Sequence, residues 1–390
     1  MNRETTNMPK RVCHLTSAHK RHDVRIFRKE CCSLAKAGYN VTLVVNDTLP
    51  DETLQGVRIV STHFQPKNRM ERMLLGTKAV YKKALEQNAD VYHLHDPELL
   101  PIAYKLKRRN KIVIFDAHED TEEQIKDKKW IPRPFSKVIS KLYGHYAGQI
   151  MRRIDAVITV TPDFVEKFKK YQENTVMVTN YPIVKEFVKS NSERNSHIES
   201  QISLITQGGY IFFAGGITTQ WMHDVVIRAI EPIESIQYVL AGFGKESYLN
   251  HLRSLPGWDK VYFLGNISHE KVSELYRCAL AGIAVNKCTQ LQGKGTLGNT
   301  KLFECMESAI PVICTDYPLW KNIIEENTCG ICVNPEKPSE ITAAIRYLIE
   351  HPDKASEMGK NGRKAVLEKY NWVPEEEKML GLYYQLLTSM

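Results

Sequence analysis

The sequence predicts an α/β protein of two doubly wound domains, each a parallel sheet with helices on both faces. Strand-like and helix-like runs alternate from Arg11 onward, the signature of βα units. The alternation breaks between Tyr181 and Gln207, a stretch rich in Ser, Asn and charge that reads as a domain connection, and restarts at Tyr210. A chain of 390 residues with 43% hydrophobic content also exceeds what one core accommodates. The expected divisions are a first domain over 1–185, a linker over 186–208, a second domain over 209–365 and a closing helix over 366–390.

RVCHLTS opens the first series, followed by a helix from about Ile26 to Ala37, the strand VTLVV, a long helix near Met70 to Gln87, and the strand VYHLH. KIVIFDAH and DAVITVT continue the sheet. The second series runs IFFAGG, YVLAGFG, VYFLGN, LAGIAVN, PVICTD and GICVN. Open sheets of this kind present ligands at the carboxyl ends of their strands. One helix stands apart: Phe135 to Tyr146 carries Phe135, Val138, Ile139, Leu142, Tyr143 and Tyr146 at helical spacing, flanked by Arg133, Lys137 and Lys141. That pattern fits a helix lying on a membrane and equally one packed on the sheet.

No run of about 18 apolar residues occurs and Met1 to Pro9 is polar, so the expectation is a cytoplasmic protein without a spanning segment. Nine cysteines without a framework fit a reducing compartment. Cys329 and Cys332 form a lone C-x-x-C in an apolar setting, read as core packing. The net charge of +8 is concentrated early: residues 1–190 hold 34 Lys and Arg against 22 Asp and Glu. Clusters at Lys105 to Lys111, Lys126 to Lys129 and Arg152 to Arg153 suit an anionic membrane surface, or are simply solvated. Without interleaved aromatics or a reader motif, nucleic acid is not the expected partner.

The richest motif is Thr296 to Cys314, TLGNTKLFECMESAIPVIC. Gly293, Gly295 and Gly298 let the backbone approach a bulky ligand, while Asn299 or Thr300 caps a helix whose free N–H groups suit a diphosphate. Glu304 falls one turn inside, where a carboxylate accepts hydrogen bonds from a ribose diol. In the first domain, His19, His22 and Asp23, then His93, His95, Asp96 and Glu98, then Asp116, His118, Glu119 and Asp120 gather at three predicted strand ends. They are expected to share a cleft. His93 is read as structural, facing away from His95. Asp23 and Arg25 admit a phosphate contact or a plain helix cap.

The Thr296–Cys314 segment resembles the donor motif of the retaining GT-B glycosyltransferases of family 4, and HDVRIFRKE, DVYHLHDPELLP, FDAHED and VTNYP resemble its bacterial surface-polysaccharide branch. The resemblance implies two facing Rossmann-like domains with the active site in the cleft between them and a last helix crossing back to the first domain. It implies a nucleotide-diphosphate sugar as donor and a lipid-linked or growing saccharide as acceptor, with no cofactor required, no metal ligand set, and metal dependence left open to test. It is compatible with a cytoplasmic protein seated peripherally on the inner face of the cytoplasmic membrane, since many acceptors of such enzymes are lipid-linked.

By the same resemblance, His95 approaches the donor sugar, and His118, Glu119 or Asp120 meets the acceptor, one of the acids taking its proton. Transfer proceeds by a front-face displacement in which charge stabilisation dominates. His19, His22, Asp23 and Arg25 lie on the acceptor or phosphate side. Donor contacts fall on Gly215, Gly216, Gln220, Gly242, Gly244, Leu264, Gly265, Lys294, Gly295, Thr296, Leu297, Gly298, Lys301 and Glu304, with Gly242 and Gly244 in a tight turn.

The chain departs from the family pattern at three points. Gly216 and Gln220 stand where the family carries cations, and Thr296 stands where it carries the first glutamate of a pair. Lys245, Lys287, Lys294 and Lys301 are the candidate replacements. A catalytically silent subunit that positions a partner enzyme, and a sugar-nucleotide epimerase of the same fold, are the alternative readings.

Overall fold

The computed structural model describes residues 9–118, 121–126, 132–184, 209–287, 297 and 300–389. The chain forms two compact units, one of residues up to Asn180 together with those from Trp372, the other Tyr181–Asn371. The first break therefore falls five residues before the expected 185. The closing segment starts at Trp372 rather than 366, because the preceding helix, Pro352–Glu368, packs in the second unit.

The first unit carries eight strands: β1 (Arg11–Leu15), β2 (Asn40–Val45), β3 (Glu52–Leu54), β4 (Val57–Ser61), β5 (Val91–Leu94), β6 (Ile112–Ala117), β7 (Ala156–Thr159) and β8 (Thr175–Met177). Their order is β3-β4-β2-β1-β5-β6-β7-β8, parallel except for the β3–β4 hairpin. The hairpin turns at Gln55 and Gly56, both at positive φ. Because β2 leaves β1 on one side and β5 joins on the other, the crevice of this sheet lies at the carboxyl ends of β1 and β5.

Every β1 and β5 position apart from Arg11 is buried, as a sheet covered on both faces requires. Cys13, Leu15, Tyr92 and Leu94 face the helices Leu100–Lys107 and Arg133–Met151. Val12, Val41 and Val91 face the other way, against the segment Val24–Cys31 and the C-terminal helix Trp372–Thr388, whose Trp372, Met379, Leu382 and Tyr383 complete that core.

The second unit has six parallel strands: β9 (Tyr210–Ile217), β10 (Gln237–Gly244), β11 (Val261–Gly265), β12 (Ala281–Ala284), β13 (Val312–Thr315) and β14 (Gly330–Val333). Their order is β11-β10-β9-β12-β13-β14. The direction of winding reverses at β9, which sets the second crevice beside Gly215 and Gly216. One face packs on Trp320, Phe303 and Tyr370, the other on Val226, Ile230 and Ile345.

Candidate functional site

At the crevice of the first sheet, one buried carboxylate organises the polar groups. Asp116, on β6, receives Arg25 Nε at 2.8 Å and Nη2 at 3.0 Å, a two-pronged pair wholly inside the protein. His95 Nδ1 lies 3.3 Å and His118 Nδ1 3.6 Å from the same carboxylate. Arg25 and these imidazoles hold Asp116 well below the usual carboxylate range against the opposing cost of burial. A second carboxylate, Asp96, accepts from Thr16 Oγ1 at 2.8 Å and the Ser17 N–H at 2.6 Å and meets His19 Nδ1 at 3.1 Å. His19 and Asp96 favour each other's charged forms, raising the imidazole and lowering the carboxyl.

His19 and His118 face each other with ring centres 5.4 Å apart. They line a cavity of about 300 Å³ with His95, Asp96, Glu98 and Arg72. Glu98 is fixed there by Arg72 Nε at 2.7 Å and Ser17 Oγ at 3.0 Å. Of the sequence-predicted cluster, His19, His95, Asp96, Glu98, Asp116 and His118 line this one cavity, with His19 and His118 its partly exposed imidazoles.

Several individual expectations change. His95 lines the cavity, but both ring nitrogens meet protein groups, Nε2 lying 2.9 Å from His14 Nδ1. His93 does not face away: residues two apart on a strand share a face, and its ring lies 4.6 Å from that of His95. Asp23 is a cap, its Oδ1 accepting from the N–H groups of Arg25 and Ile26 at 2.9 Å each. Arg25 is committed to Asp116 and the Val178 carbonyl rather than to a phosphate. His22 turns outward to Glu52 at 3.1 Å. Glu119 and Asp120 lie outside the described residues.

In the second unit the donor-side glycines end two strands. Gly215 and Gly242 are register partners on β9 and β10, so Gly242 and Gly244 belong to a strand and not to a turn. At Gly242, φ is +135° and an added Cβ would sit 1.8 Å from the Gly215 carbonyl oxygen. No other residue fits there. Gly216 opens onto free space, with no atom within 4 Å of a built Cβ, and Leu264 and Gly265 finish β11, Leu264 packing on the core.

The helix Lys301–Glu307 carries Glu304, whose carboxylate accepts from Thr300 Oγ1 at 2.7 Å and Lys301 Nζ at 2.6 Å. Thr300 holds the N-cap position without a side-chain bond to the helix N–H groups; its hydroxyl is turned to Glu304. Lys301 Cε lies 3.0 Å from the Cβ position of Gly215, so the ammonium stem passes over the end of β9. Gln220 offers its carbonyl to the Lys287 N–H at 2.7 Å, and Lys245 and Lys287 are exposed. Leu297 is 5% exposed and packs in the core rather than toward a ligand. Gly293, Lys294, Gly295, Thr296, Gly298, Asn299 and the expected linker over 186–208 lie outside the described residues.

The helix Arg133–Met151 exposes the apolar residues picked out by their spacing, Phe135 at 63% and Leu142 at 65%. A second exposed apolar run, Met70, Met73, Leu74 and Leu75, was not legible as such in the sequence. Among the described residues, no helix is long and apolar enough to cross a membrane.

Comparison with known proteins gives the same picture from outside. The family model for glycosyl transferases group 1 matches residues 195–365, and that for glycosyltransferase family 4 matches residues 25–180. The D-rhamnosyltransferase WbpZ of Pseudomonas aeruginosa is 22% identical over 310 residues, 77% of this chain and 76% of its own. Sucrose-phosphate synthase from Thermosynechococcus elongatus shares the fold with a TM-score of 0.77 at 17% identity, over 98% of this chain and 100% of that one. Anabaena HepE, solved in complex with UDP and glucose, matches with a TM-score of 0.70 at 13% identity, over 98% and 100%. With both halves matched in order and the two sheets of that architecture in place, this chain belongs to the family 4, group 1 glycosyltransferases of the GT-B fold.

Proposed function

We propose that this glycosyltransferase moves a sugar, with retention, from a nucleotide-diphosphate sugar to a lipid-linked or growing saccharide during surface-polysaccharide synthesis. The observation that carries the donor half is the Lys301–Glu304 pair beside Gly215 and Gly242. It sets a carboxylate fit for a ribose diol and a cation fit for a diphosphate against backbone that has no side chain in the way. Lys301 answers the departure at Gly216 and Gln220: the cation comes from the helix instead of the loop after β9. UDP and glucose in Anabaena HepE, and the rhamnosyl transfer named for WbpZ, support a sugar nucleotide as the donor class.

The acceptor reading rests on the cavity between His19 and His118, where polar groups converge on a site large enough for a sugar ring. His118 is the imidazole assigned to the acceptor hydroxyl, with Asp116 orienting it and His95 acting through Asp116 rather than on the sugar. Neutralisation of the diphosphate is assigned to side chains, without a divalent ion at that step. The exposed apolar face of Arg133–Met151, with Lys126, Lys137 and Lys141 gathered around Val138, supports a peripheral seat on an anionic membrane carrying the lipid-linked acceptor.

A thermal-shift panel with UDP, GDP, TDP and CDP and their sugars, with and without magnesium, tests the donor reading. A ligand at about 100 times its dissociation constant stabilises by about 2.7 kcal/mol, so one base should raise the melting temperature by a few degrees. No shift across a panel validated on another transferase would favour the non-catalytic subunit, the reading that Gly216, Gln220 and Thr296 motivate.

A further inference from the structure

Beneath the C-terminal helix, on the sheet face shared with Val12 and Val91, three buried imidazoles and a buried carboxyl group meet. His14 comes from β1, His93 and His95 from the end of β5, and Glu30 from Val24–Cys31, all four at most 1% exposed. We propose that these four residues bind one divalent transition-metal ion, zinc by its donor set, as a structural centre of the first unit.

The geometry carries the assignment. One donor atom from each residue lies within 4.8 Å of every other. A tetrahedral zinc site with metal–nitrogen bonds of about 2.0–2.1 Å has ligand–ligand edges near 3.3 Å. His14 Nδ1 and His95 Nε2 are 2.9 Å apart, and Glu30 Oε2 stands 3.8 Å from His95 Nε2 and 3.9 Å from His14 Nδ1 and from His93 Nδ1. Closing on an ion draws the wider of these separations in from as much as 4.8 Å and opens the 2.9 Å one.

The hydrogen bonding points the same way. Glu30 Oε2 is buried and aimed at three imidazoles, beyond hydrogen-bond reach of each, while the carboxyl group also meets Arg25 Nε at 3.1 Å through Oε1 and shares a side-chain hydrogen bond with Asp116. A cation at the centre gives that inward-facing oxygen the partner the imidazoles do not. Outer partners are already set for two of the imidazoles: His95 Nδ1 points to Asp116 and His14 Nε2 lies 3.4 Å from Tyr383 Oη, while the 2.9 Å contact of Tyr383 Oη with His93 Nδ1 is one the ion would replace. Metal-bound imidazoles are oriented in just this way, through their second nitrogen. A soft-thiolate site is a different chemistry; imidazole with one carboxylate suits zinc and its neighbours in the first transition row.

The test uses the full chain without a polyhistidine tag, purified without chelator and analysed by inductively coupled plasma mass spectrometry. About one zinc ion per chain is expected. Stripping with chelator should lower the melting temperature of the first unit, and Zn²⁺ alone should restore it. Co²⁺ added to the stripped protein should give the visible absorption of a tetrahedral site. Glu30→Gln and His93→Asn should lose the ion, and Tyr383→Phe, outside the ligand set, should weaken affinity by about 10- to 100-fold. Circular dichroism reports whether each variant folds, and the wild-type cobalt titration decides the matter where one does not. A folded wild type that carries no transition metal and takes up neither Zn²⁺ nor Co²⁺ overturns the proposal. So does unchanged stoichiometry in folded Glu30→Gln, which would put the ion elsewhere. None of these readouts depends on transfer activity.

Discussion

At the scale of single residues, Glu304 and His118 separate the two halves of the proposed reaction. Glu304→Ala should weaken nucleotide binding by about tenfold or more, since a charge-assisted hydrogen bond contributes about 1.5–3 kcal/mol. Isothermal titration against the base found in the thermal-shift panel checks it, and unchanged affinity removes the ribose role. His118→Ala should lower turnover by about 100-fold, the low end of general acid–base effects, with donor affinity kept; equal turnover removes it from the acceptor side. Deep in the second unit, burial pulls the His223 imidazole down to about 3. Between that value and the ordinary 6.5 the unfolded chain binds a proton that the folded chain refuses. The stability this neutral histidine confers is therefore present above pH 6.5 and lost progressively as pH falls toward 3. Urea unfolding across that range should flatten in His223→Gln relative to wild type. Glu304 and the strand-end histidines were legible because their chemistry is local to a motif. The ties of Arg25 and Glu30 were not, because their partners lie far along the chain, as Asp116 does.

At the scale of elements, the strands of the second sheet were read in full, since PVICTD and its like are continuous apolar runs between glycines and helices. β3, β4 and β8 were passed over: β3 and β8 have three residues each and sit at sheet edges, and β4 pairs through a hairpin whose Gln55-Gly56 turn is not a strong signal. The helix expected from Ile26 begins instead as the π-helical Val24–Cys31, whose i→i+5 pitch brings Arg25 and Glu30 together. Period alone cannot announce such a change of pitch. For Arg133–Met151, the pattern left membrane and core readings open; the helix packs Ala147, Ile150 and Met151 in the core and leaves Phe135 and Leu142 exposed. Phe135→Asp with Leu142→Asp should reduce sedimentation with anionic vesicles by more than tenfold, each buried side chain contributing about 1.5–3 kcal/mol, with the melting temperature unchanged. Equal sedimentation would return this helix to an ordinary solvated role.

At the scale of the whole molecule, the chain visits the first unit twice. Trp372 donates Nε1–H to Ser33 Oγ at 2.9 Å, Glu375 accepts from the Thr179 N–H at 2.7 Å, and Tyr383 meets His93. Trp372→Ala should cost the first unit about 3–5 kcal/mol, the range for removing a buried aromatic side chain, and leave the second unit's transition in place. Two-phase urea unfolding followed by circular dichroism would register this as movement of one phase only. The same return path fixes the order of events on the ribosome. The amino-terminal unit is made first, yet its last wall emerges after all of the second unit has been synthesised, so the half begun earliest is finished last. Until Trp372 and the helix it begins have been made, the nascent protein carries an open apolar sheet face, a natural stage for chaperone engagement. A stop just before Trp372 would spoil the unit made first and spare the unit made second.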